Sequence, residues 1–495
     1  MEPDERQPLF ARPPEDLDDD DTQHELPQDN FATADRVTVV VLLSFILFTI
    51  DIGNISSVSA MSNVQLKILC RQHGGNETCG LIPGIPLEYV TELDNIQRVR
   101  GILAVISGIL TAMPYGLAAD KYSRRNLLAL CVGGVLISTA AESIVCMFPK
   151  VFPLRLIWLT AVLKLIGGGP QVFYALVFAI ATDVSTQAQR SILFLLLGSV
   201  TTLTSLLGFR LSRFFANKDP WVAIYLGLAT VCISTVLVLF IPATRDASSL
   251  RRYEITLEAN DSESRRSKLG KRVKKASKEI HSTVRAALWG DRRLSAIFLG
   301  IFLLGMSPYA LGITFLVFSL DDWFEMEKMG NLIYISMGSS LVLTAVILPP
   351  IAYGLHKQYH LTPFKRDLWL MRVLPVVLVV GALLTCFAKS AGVVIAGTVL
   401  MAPVWGFLLL SRSLISLVSG EQHLAILFCL VGGVWAVALL IGRPVLDLLW
   451  SLGMNSDAIL RGFPFLVLAI LYAVTAVLTL SIRDGDEADE SDETV

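Results

Sequence analysis

The chain has 495 residues, of which 53% are hydrophobic and only 17% are charged, and its formal net charge at pH 7 is −2. Soluble domains carry about 25% charged residues, so this composition excludes an ordinary soluble globule. The near-neutral charge also gives no reason to expect a nucleic-acid partner. The apolar residues gather in runs about as long as a bilayer is thick, which indicates a polytopic membrane protein.

The N-terminal segment 1–36 is acidic and includes four aspartates, Asp18 to Asp21. It lacks the basic and apolar regions of a cleavable signal peptide, so we expect a disordered cytosolic tail. The stretch from Glu5 to Phe10 resembles an acidic dileucine sorting signal, although an uninformative tail is an alternative. A plasma-membrane and a vacuolar location therefore both stay open.

Twelve segments are apolar over the length of about 20 residues that a helix needs to cross a bilayer. We therefore predict an all-α membrane protein with twelve transmembrane helices, called here the first to the twelfth span. The predicted spans are residues 37–60, 99–119, 126–148, 153–181, 191–212, 221–242, 294–318, 330–354, 366–387, 391–412, 423–447 and 458–482.

Basic residues orient these spans, because loops rich in Lys and Arg stay in the cytosol. Lys121 and Arg125 after the second span, with Lys357 and Lys365 after the eighth, place both loops and both chain ends in the cytosol. The basic part of the central linker, 268–285, is either a helix on the anionic inner leaflet or a disordered segment. The predicted units are a tail at 1–36, an N-terminal six-helix bundle at 37–244, a basic cytosolic linker at 245–293, a C-terminal six-helix bundle at 294–482 and an acidic cytosolic tail at 483–495.

The outer loop after the first span carries two features of an oxidising compartment. Asn76 opens a glycosylation sequon, and Cys70 and Cys79 lie on either side of it. We predict a disulfide between these cysteines and a glycan on Asn76, with two free thiols and a chance sequon as the alternatives. The chain shows no CxxC pair and no Cys/His metal spacing, so no cofactor is expected.

The loop after the second span reads Gly116-Leu117-Ala118-Ala119-Asp120-Lys121-Tyr122-Ser123-Arg124-Arg125. It resembles the signature that the major facilitator superfamily carries between its second and third helices, and the segment from Asp183 to Arg190 resembles a further feature of that superfamily. A glycine lets two helices approach closely, and an aspartate can hold arginines and a helix end. We expect a latch that stabilises one of two conformers, with a generic basic loop as the alternative. Its residues are Gly116, Asp120, Arg124, Arg125, Asp183 and Arg190.

The resemblance covers residues 37–482 and implies two six-helix bundles around a central cavity. The second half repeats the Tyr-Gly-Leu of the signature at Tyr353 to Leu355 but lacks its aspartate, so a latch there must be weaker or built differently. The acidic tail, the cysteine-bracketed outer loop and the glycines 167–169 look most like fungal members, which are distantly similar to proton-coupled folate-type carriers.

Two charged residues fall toward the middle of predicted spans, where each costs about 2.5–3.5 kcal/mol and marks a candidate functional site. They are Asp51 in the first span and Lys164 in the fourth, two of the spans that the resemblance places around the cavity. We expect Asp51 to bind a proton or contact substrate, and Lys164 to pair with Asp51 or contact an anion. A structural ion pair is the alternative. Asn54 shares a helix face with Asp51, and Gln171 shares one with Lys164. With two aromatic wall residues added, the candidates for substrate or proton binding are Asp51, Asn54, Lys164, Gln171, Tyr309 and Trp405.

Other charged residues lie nearer the outer ends of the spans, where structural pairs are favoured. Glu142 can pair with Arg210, and Arg443 can pair with Asp447 one helical turn away.

No nucleotide-binding or hydrolase motif accompanies the spans, so neither an ATP-driven pump nor an enzyme is expected. The resemblance implies a secondary carrier that moves a small organic molecule by alternating access, and we expect a monomer in the lipid bilayer. With no nucleotide site and one buried acid, a proton gradient is the expected source of energy. Efflux of a specialised metabolite or drug is the favoured interpretation, because fungal members often act in this way. Uptake of a nutrient or cofactor by proton symport, and a nutrient sensor that has lost transport, are the alternatives.

Overall fold

The computed structural model describes residues 33–72, 87–216, 219–242, 265–309, 314, 326–419, 423–454 and 462–482. Within these ranges every regular element is helical. Eleven of the described helices are long and apolar enough to cross a membrane. The seventh predicted span is described as the helix Arg292–Leu304 followed by a turn at Ser307–Tyr309. The predicted all-α fold of twelve spans is confirmed.

The first and second spans extend well beyond their predicted apolar stretches, because hydropathy marks only the part of a helix that meets lipid. In the N-terminal half the spans are Thr33–Gln72, Leu87–Lys121, Arg124–Met147, Ile157–Leu163 with Gly169–Val184, Arg190–Ala216 and Pro220–Leu239. In the C-terminal half they are Arg292–Leu304, Met326–Val342 with Leu348–Tyr359, Pro363–Cys386, Ala391–Leu400 with Pro403–Val418, Leu424–Met454 and Phe463–Leu480.

The fourth span is broken at its run of glycines. Gly168 and Gly169 have φ angles of +76° and +69°, a left-handed conformation that residues with a Cβ rarely adopt. Pro170 then starts the second segment of the span at a position where its missing N–H costs nothing. Gly167 also lies against the third span, where a Cβ on Gly134 would sit 2.5 Å from its Cα.

The tenth span is also interrupted, between Leu400 and Pro403, although the two residues at this interruption keep right-handed helical backbone angles. The fourth and tenth spans therefore occupy equivalent places in the two halves and share a break followed by proline. Interrupted helices at equivalent positions of two repeats are typical of transporter binding sites, since they leave backbone and side chains free to meet a ligand.

The basic part of the linker forms a helix, Arg265–Arg285, called here the linker helix. Its apolar side packs against the bundle through Ala276, Ile280 and Val284, which recur every four residues. Glu279 on this helix forms an ion pair with Lys121 after the second span. The linker helix is thus fastened to the N-terminal half at the end that carries the basic loops, called here the basic end.

Candidate functional site

A cavity of about 470 Å³ lies between the two halves of the molecule. Its walls come from the fourth and fifth spans of the first half and from the seventh, eighth, tenth and eleventh spans of the second half. The volume falls within the range of about 300–1,000 Å³ that small-molecule sites occupy. A site shared by both halves changes its access whenever the halves tilt against each other.

One wall of the cavity is aromatic. Trp405 of the tenth span and Trp435 of the eleventh both line it, and their ring centroids are 5.7 Å apart. Trp405 is one of the predicted wall residues, and its contact with substrate stays a prediction. Ser307 and Pro308 line the wall just before Tyr309, whose side chain lies outside the described residues.

Gln171, another predicted candidate, lines the cavity directly after the break in the fourth span. Gln171 packs against glycines of two other spans. A Cβ on Gly108 of the second span would lie 2.2 Å from Gln171 Oε1, and one on Gly432 of the eleventh would lie 3.1 Å from Gln171 Cβ. The side chain therefore sits where the two halves touch, and its Oε1 has no hydrogen-bond partner within the described ranges.

Arg412 is the only charged residue among the described residues that line the cavity. Its side chain is 7% exposed, and its guanidinium carbon lies 4.4 Å from the centroid of the Phe178 ring. Arg412 is not among the predicted site residues, because the predicted tenth span ends at 412 and a cation at a cytosolic helix end needs no explanation. The helix continues to Val418 and places Arg412 inside the bundle.

Asp51 is buried just behind the cavity wall. Its Oδ1 accepts a hydrogen bond of 2.9 Å from the Tyr174 hydroxyl, and Tyr174 itself lines the cavity. Its Oδ2 has no hydrogen-bond partner among the described residues. Asp51 is thus separated from the cavity by one side chain that can both donate and accept a proton.

The structure brings Asp51 to Tyr174 and not to Lys164. Lys164 and Asn54 are absent from the described cavity lining, and Lys164 instead interacts electrostatically with Glu142 and Arg100. The shared face predicted for Lys164 and Gln171 assumed one continuous helix. The left-handed glycines between them break that register.

Glu142 pairs with Arg100 of the second span, and it also accepts a hydrogen bond of 3.3 Å from Gln65. The predicted pair of Glu142 with Arg210 is therefore wrong, since Arg210 lies 5.9 Å from the ring centroid of Tyr334. Helical periodicity gives the depth of both residues but not the rotation that decides which neighbour each one meets.

At the basic end, the signature after the second span contacts the opposite half. The Asp120 carboxylate accepts hydrogen bonds from the backbone N–H groups of Ala425, at 3.0 Å, and Ile426, at 3.1 Å. These donors belong to the first turn of the eleventh span, whose N–H groups have no partner within the helix. Gly116 allows the approach, because a Cβ there would lie 2.7 Å from the Ile426 Cα.

The remaining predicted latch residues surround this contact. Arg124 donates to Asp183 Oδ1 at 2.6 Å and lies 3.4 Å from Asp120 Oδ1. Arg125 donates to the Ile241 carbonyl at 3.3 Å, within the first half. Arg190 reaches across the halves to the carbonyl of Ser416 at 3.5 Å. The six residues thus gather at one end of the bundle, and Asp120 and Arg190 bridge its two halves.

At the basic end, the second half contacts the first half through a different pair of residues, Arg366 and Asp367. Both side chains are fully buried and pair at 2.8 Å. Arg366 also donates to the Ala188 carbonyl at 2.9 Å and to the Ser191 hydroxyl, both in the first half. The expected difference between the halves is present, because Gly354, the counterpart of Gly116, faces open space.

At the opposite end, Arg443 pairs with Asp447 at 3.9 Å, as predicted, and also with Asp94 of the first half at 3.3 Å. Cys70 takes part in a disulfide. Cys79 and Asn76 lie outside the described residues, so the disulfide pairing and the glycan stay predictions.

A broken pair of equivalent helices, a cavity shared by two halves and a polar contact network at one end define a membrane transporter of the two-bundle class. The chain belongs to the Major Facilitator Superfamily, whose family model matches residues 80–443. It is an integral membrane protein with multiple spans, and its family and fold are those of transporters and not of enzymes.

Named relatives come from filamentous fungi. The chain is 25% identical over 476 residues to the MFS efflux pump atnC of Emericella nidulans, which covers 90% of this chain and 88% of the relative. It is 24% identical over 371 residues to the efflux pump ustT of Aspergillus flavus, covering 73% of each chain. The predicted superfamily is confirmed, and the distant similarity to folate-type carriers stays a prediction.

Solved structures share the fold at low identity. The human organic anion transporter MFSD10 (TETRAN) superposes with a TM-score of 0.61 at 16% identity, covering 90% of this chain and 99% of the other. The proton:xylose symporter XylE gives a TM-score of 0.59 at 13% identity, covering 91% and 96%. At these identities the likeness concerns the fold alone.

Proposed function

We propose that this protein is a secondary carrier that exports a small organic molecule by alternating access in exchange for protons. The observation that carries the proposal is the cavity, whose walls come from both halves of the molecule. A ligand held there meets one side of the membrane when the halves tilt one way and the other side when they tilt back. No part of the site has to move separately from its half.

Export is the direction favoured by the relatives, two of which are named efflux pumps. A plasma-membrane carrier would remove its substrate from the cell, and a vacuolar one would sequester it. Both locations are compatible with the same direction of movement, out of the cytosol.

Asp51 is the proposed proton site. Its carboxylate is buried, and its one hydrogen bond among the described residues comes from Tyr174, which lines the cavity. An isolated carboxylate in such a place carries a large desolvation cost when ionised, so its charge state responds to which side of the membrane the cavity faces. Tyr174 connects the Asp51 carboxylate to the cavity, so a change in the charge of Asp51 changes the interactions of Tyr174 with a bound substrate.

Flux in proteoliposomes under an imposed pH gradient tests the proposal, with substrate drawn from a metabolite screen of deletion and overexpression strains. We expect Asp51→Asn to abolish accumulation driven by the pH gradient while exchange of labelled for unlabelled substrate continues. Asp447→Asn removes a half-exposed carboxylate that is absent from the described cavity lining, so it is the matched control and should keep both activities.

Each outcome has a defined meaning. Gradient-driven accumulation that persists in Asp51→Asn would remove Asp51 from the coupling mechanism. Substrate binding without any flux in the native protein would instead identify a sensor, and flux only toward the cytosol would identify an uptake carrier.

A further inference from the structure

Arg412 is a buried cation for which the described residues offer no anionic partner. The residue is 7% exposed and lines the cavity, yet it forms no hydrogen bond or ion pair with the described residues. Its Nε is both buried and without a hydrogen-bond acceptor. Burying an unpaired charge is costly, so a cation kept here indicates a role in binding.

The surroundings of Arg412 leave part of the guanidinium available to a ligand. Phe178 covers one face of the group at 4.4 Å, an arrangement that stabilises the cation without using its N–H donors. Tyr174 interacts with it electrostatically, and the Tyr174 hydroxyl is already engaged with Asp51. Asp51 is not within ion-pairing distance of Arg412, so it does not serve as the counter-ion directly.

The rest of the cavity suits a flat apolar body. Trp405 and Trp435 stand side by side on the lining, and aromatic side chains of this kind bind planar ligands through large apolar surfaces. Thr201 and Thr202 of the fifth span also line the cavity and donate their hydroxyl protons to the Gly198 carbonyl. Their oxygens therefore keep lone pairs that can accept hydrogen bonds from polar substituents.

We propose that the transported molecule is an amphipathic organic anion, with a carboxylate bound by Arg412 and an aromatic or flat apolar body bound against Trp405 and Trp435. The guanidinium presents paired N–H groups in a planar fork, which fits the two oxygens of a carboxylate. This assignment of substrate class rests on the carrier function proposed above. It adds to that function a residue that selects for charge.

The test measures binding to the purified full chain in detergent, by calorimetry, with matched probes. These are naphthalene-1-acetate and biphenyl-4-carboxylate, each paired with its uncharged primary amide. Hydrogen bonds to charged groups exceed neutral ones in strength, so we expect the carboxylates to bind about tenfold or more tightly than the amides. Arg412→Gln should reduce that preference to roughly twofold or less, with amide affinity retained.

Two further variants serve as controls for the role of charge and for the position of the arginine. Arg412→Lys keeps the charge and should keep part of the preference, while losing the two-pronged geometry. Arg372→Gln removes another partly buried arginine of the second half, which donates to the carbonyls of Thr479 and Ile482 and is absent from the described cavity lining. It should leave the preference intact. Amide binding by Arg412→Gln shows that the cavity of that variant is folded.

Amides that bind as tightly as carboxylates, carboxylates that do not bind at all, or a preference that survives in Arg412→Gln would each overturn the proposal. A flux assay in proteoliposomes separates this result from the carrier function. Carboxylates that bind through Arg412 but never cross the membrane would refute the carrier and leave the anion site. Neutral molecules that cross the membrane while carboxylates do not bind would refute the anion site and leave the carrier function.

Discussion

Replacing Asp120 with asparagine tests the contact that joins the two halves at the basic end. The carboxylate accepts hydrogen bonds from the N–H groups of Ala425 and Ile426, and its side chain is only 8% exposed, so solvent screens it little. Asparagine keeps the size and an acceptor oxygen but removes the charge. Arg124 is not left without a carboxylate, because it donates to Asp183 at 2.6 Å.

The magnitude follows from the two bonds. A hydrogen bond to a charged group contributes about 1.5–3 kcal/mol, against about 0.5–1.5 kcal/mol for a neutral one. The two N–H groups bond to different carboxylate oxygens, and asparagine keeps only one acceptor, so one bond becomes a neutral bond and the other is lost. The total loss is about 2.5–4.5 kcal/mol, which corresponds to a roughly 70- to 2,000-fold shift toward the opened contact. The favourable interaction of a negative charge with the N-terminus of the eleventh span is lost as well.

Hydrogen–deuterium exchange reads this contact directly. The amide protons of Ala425 and Ile426 lie in the first helical turn, and Asp120 supplies their acceptor. In Asp120→Asn, the amides of Ala425 and Ile426, followed in a peptide covering 424–430, should exchange roughly 70- to 2,000-fold faster, while peptides of the third span are unchanged. The control is Asp447→Asn on the same helix, whose side chain is 49% exposed.

Unchanged exchange at 424–430 in Asp120→Asn would refute the reasoning, since it would mean that these two amides are protected by something other than the carboxylate. Equal acceleration in Asp447→Asn would also refute it, because the effect would then be a general loosening of the eleventh span.

Two predictions concern stability in detergent, measured as thermal unfolding midpoints. Asp367→Asn leaves the buried Arg366 without its carboxylate and should lower the free energy of unfolding by about 3–5 kcal/mol. Replacing both residues with apolar ones should recover most of this loss. An Asp367→Asn variant as stable as the native protein would contradict the prediction. Gly53→Ala should cost about 1–3 kcal/mol, because its Cβ would lie 2.4 Å from Thr230 Oγ1. Gly133→Ala is the control, because a Cβ there meets nothing within 4 Å, and it should be neutral or stabilising by up to about 1 kcal/mol. Equal losses of stability in Gly53→Ala and Gly133→Ala would rule out the packing explanation.

The number and order of the spans could be predicted from the sequence because the bilayer allows few solutions. Every backbone polar group in the hydrocarbon must be paired within its own helix, so apolar runs of spanning length become helices. The signature from Gly116 to Arg125 could be placed at one end of the bundle for a similar reason, since its basic residues keep it out of the membrane. Both predictions depend on how the bilayer and the surrounding water treat each side chain, and not on tertiary contacts.

The partners inside the bundle could not be predicted, because they depend on how each helix is rotated and where it breaks. Asp51 was identified by its depth, but its bond to Tyr174 requires the relative rotation of two spans. Lys164 was assigned the face of Gln171 across a break that changes the register. Arg412 lies at the hydropathy boundary of the predicted tenth span, although a cation followed by more apolar residues is a signal for extending that span.

The contacts between the halves differ in strength at the two ends of the bundle. At the basic end Asp120 and Arg366 are almost fully buried and each bonds to the opposite half. At the opposite end the pair of Arg443 with Asp94 is 41% and 45% exposed, and such pairs contribute only about 0–1 kcal/mol. The structure therefore favours closure at the basic end, and separation of the halves begins more easily at the other.

The tenth span connects this closure to the proposed anion site. Arg412 lines the cavity, and its neighbour Ser413 donates to Asp367 at 2.7 Å. One turn further on, the carbonyl of Ser416 accepts the bond from Arg190 of the first half. A ligand shifts a conformational equilibrium only by its difference in affinity between the two states. An anion on Arg412 acts on the same helix that carries two contacts of the basic end, so a small displacement of that helix changes the cavity and the closure together.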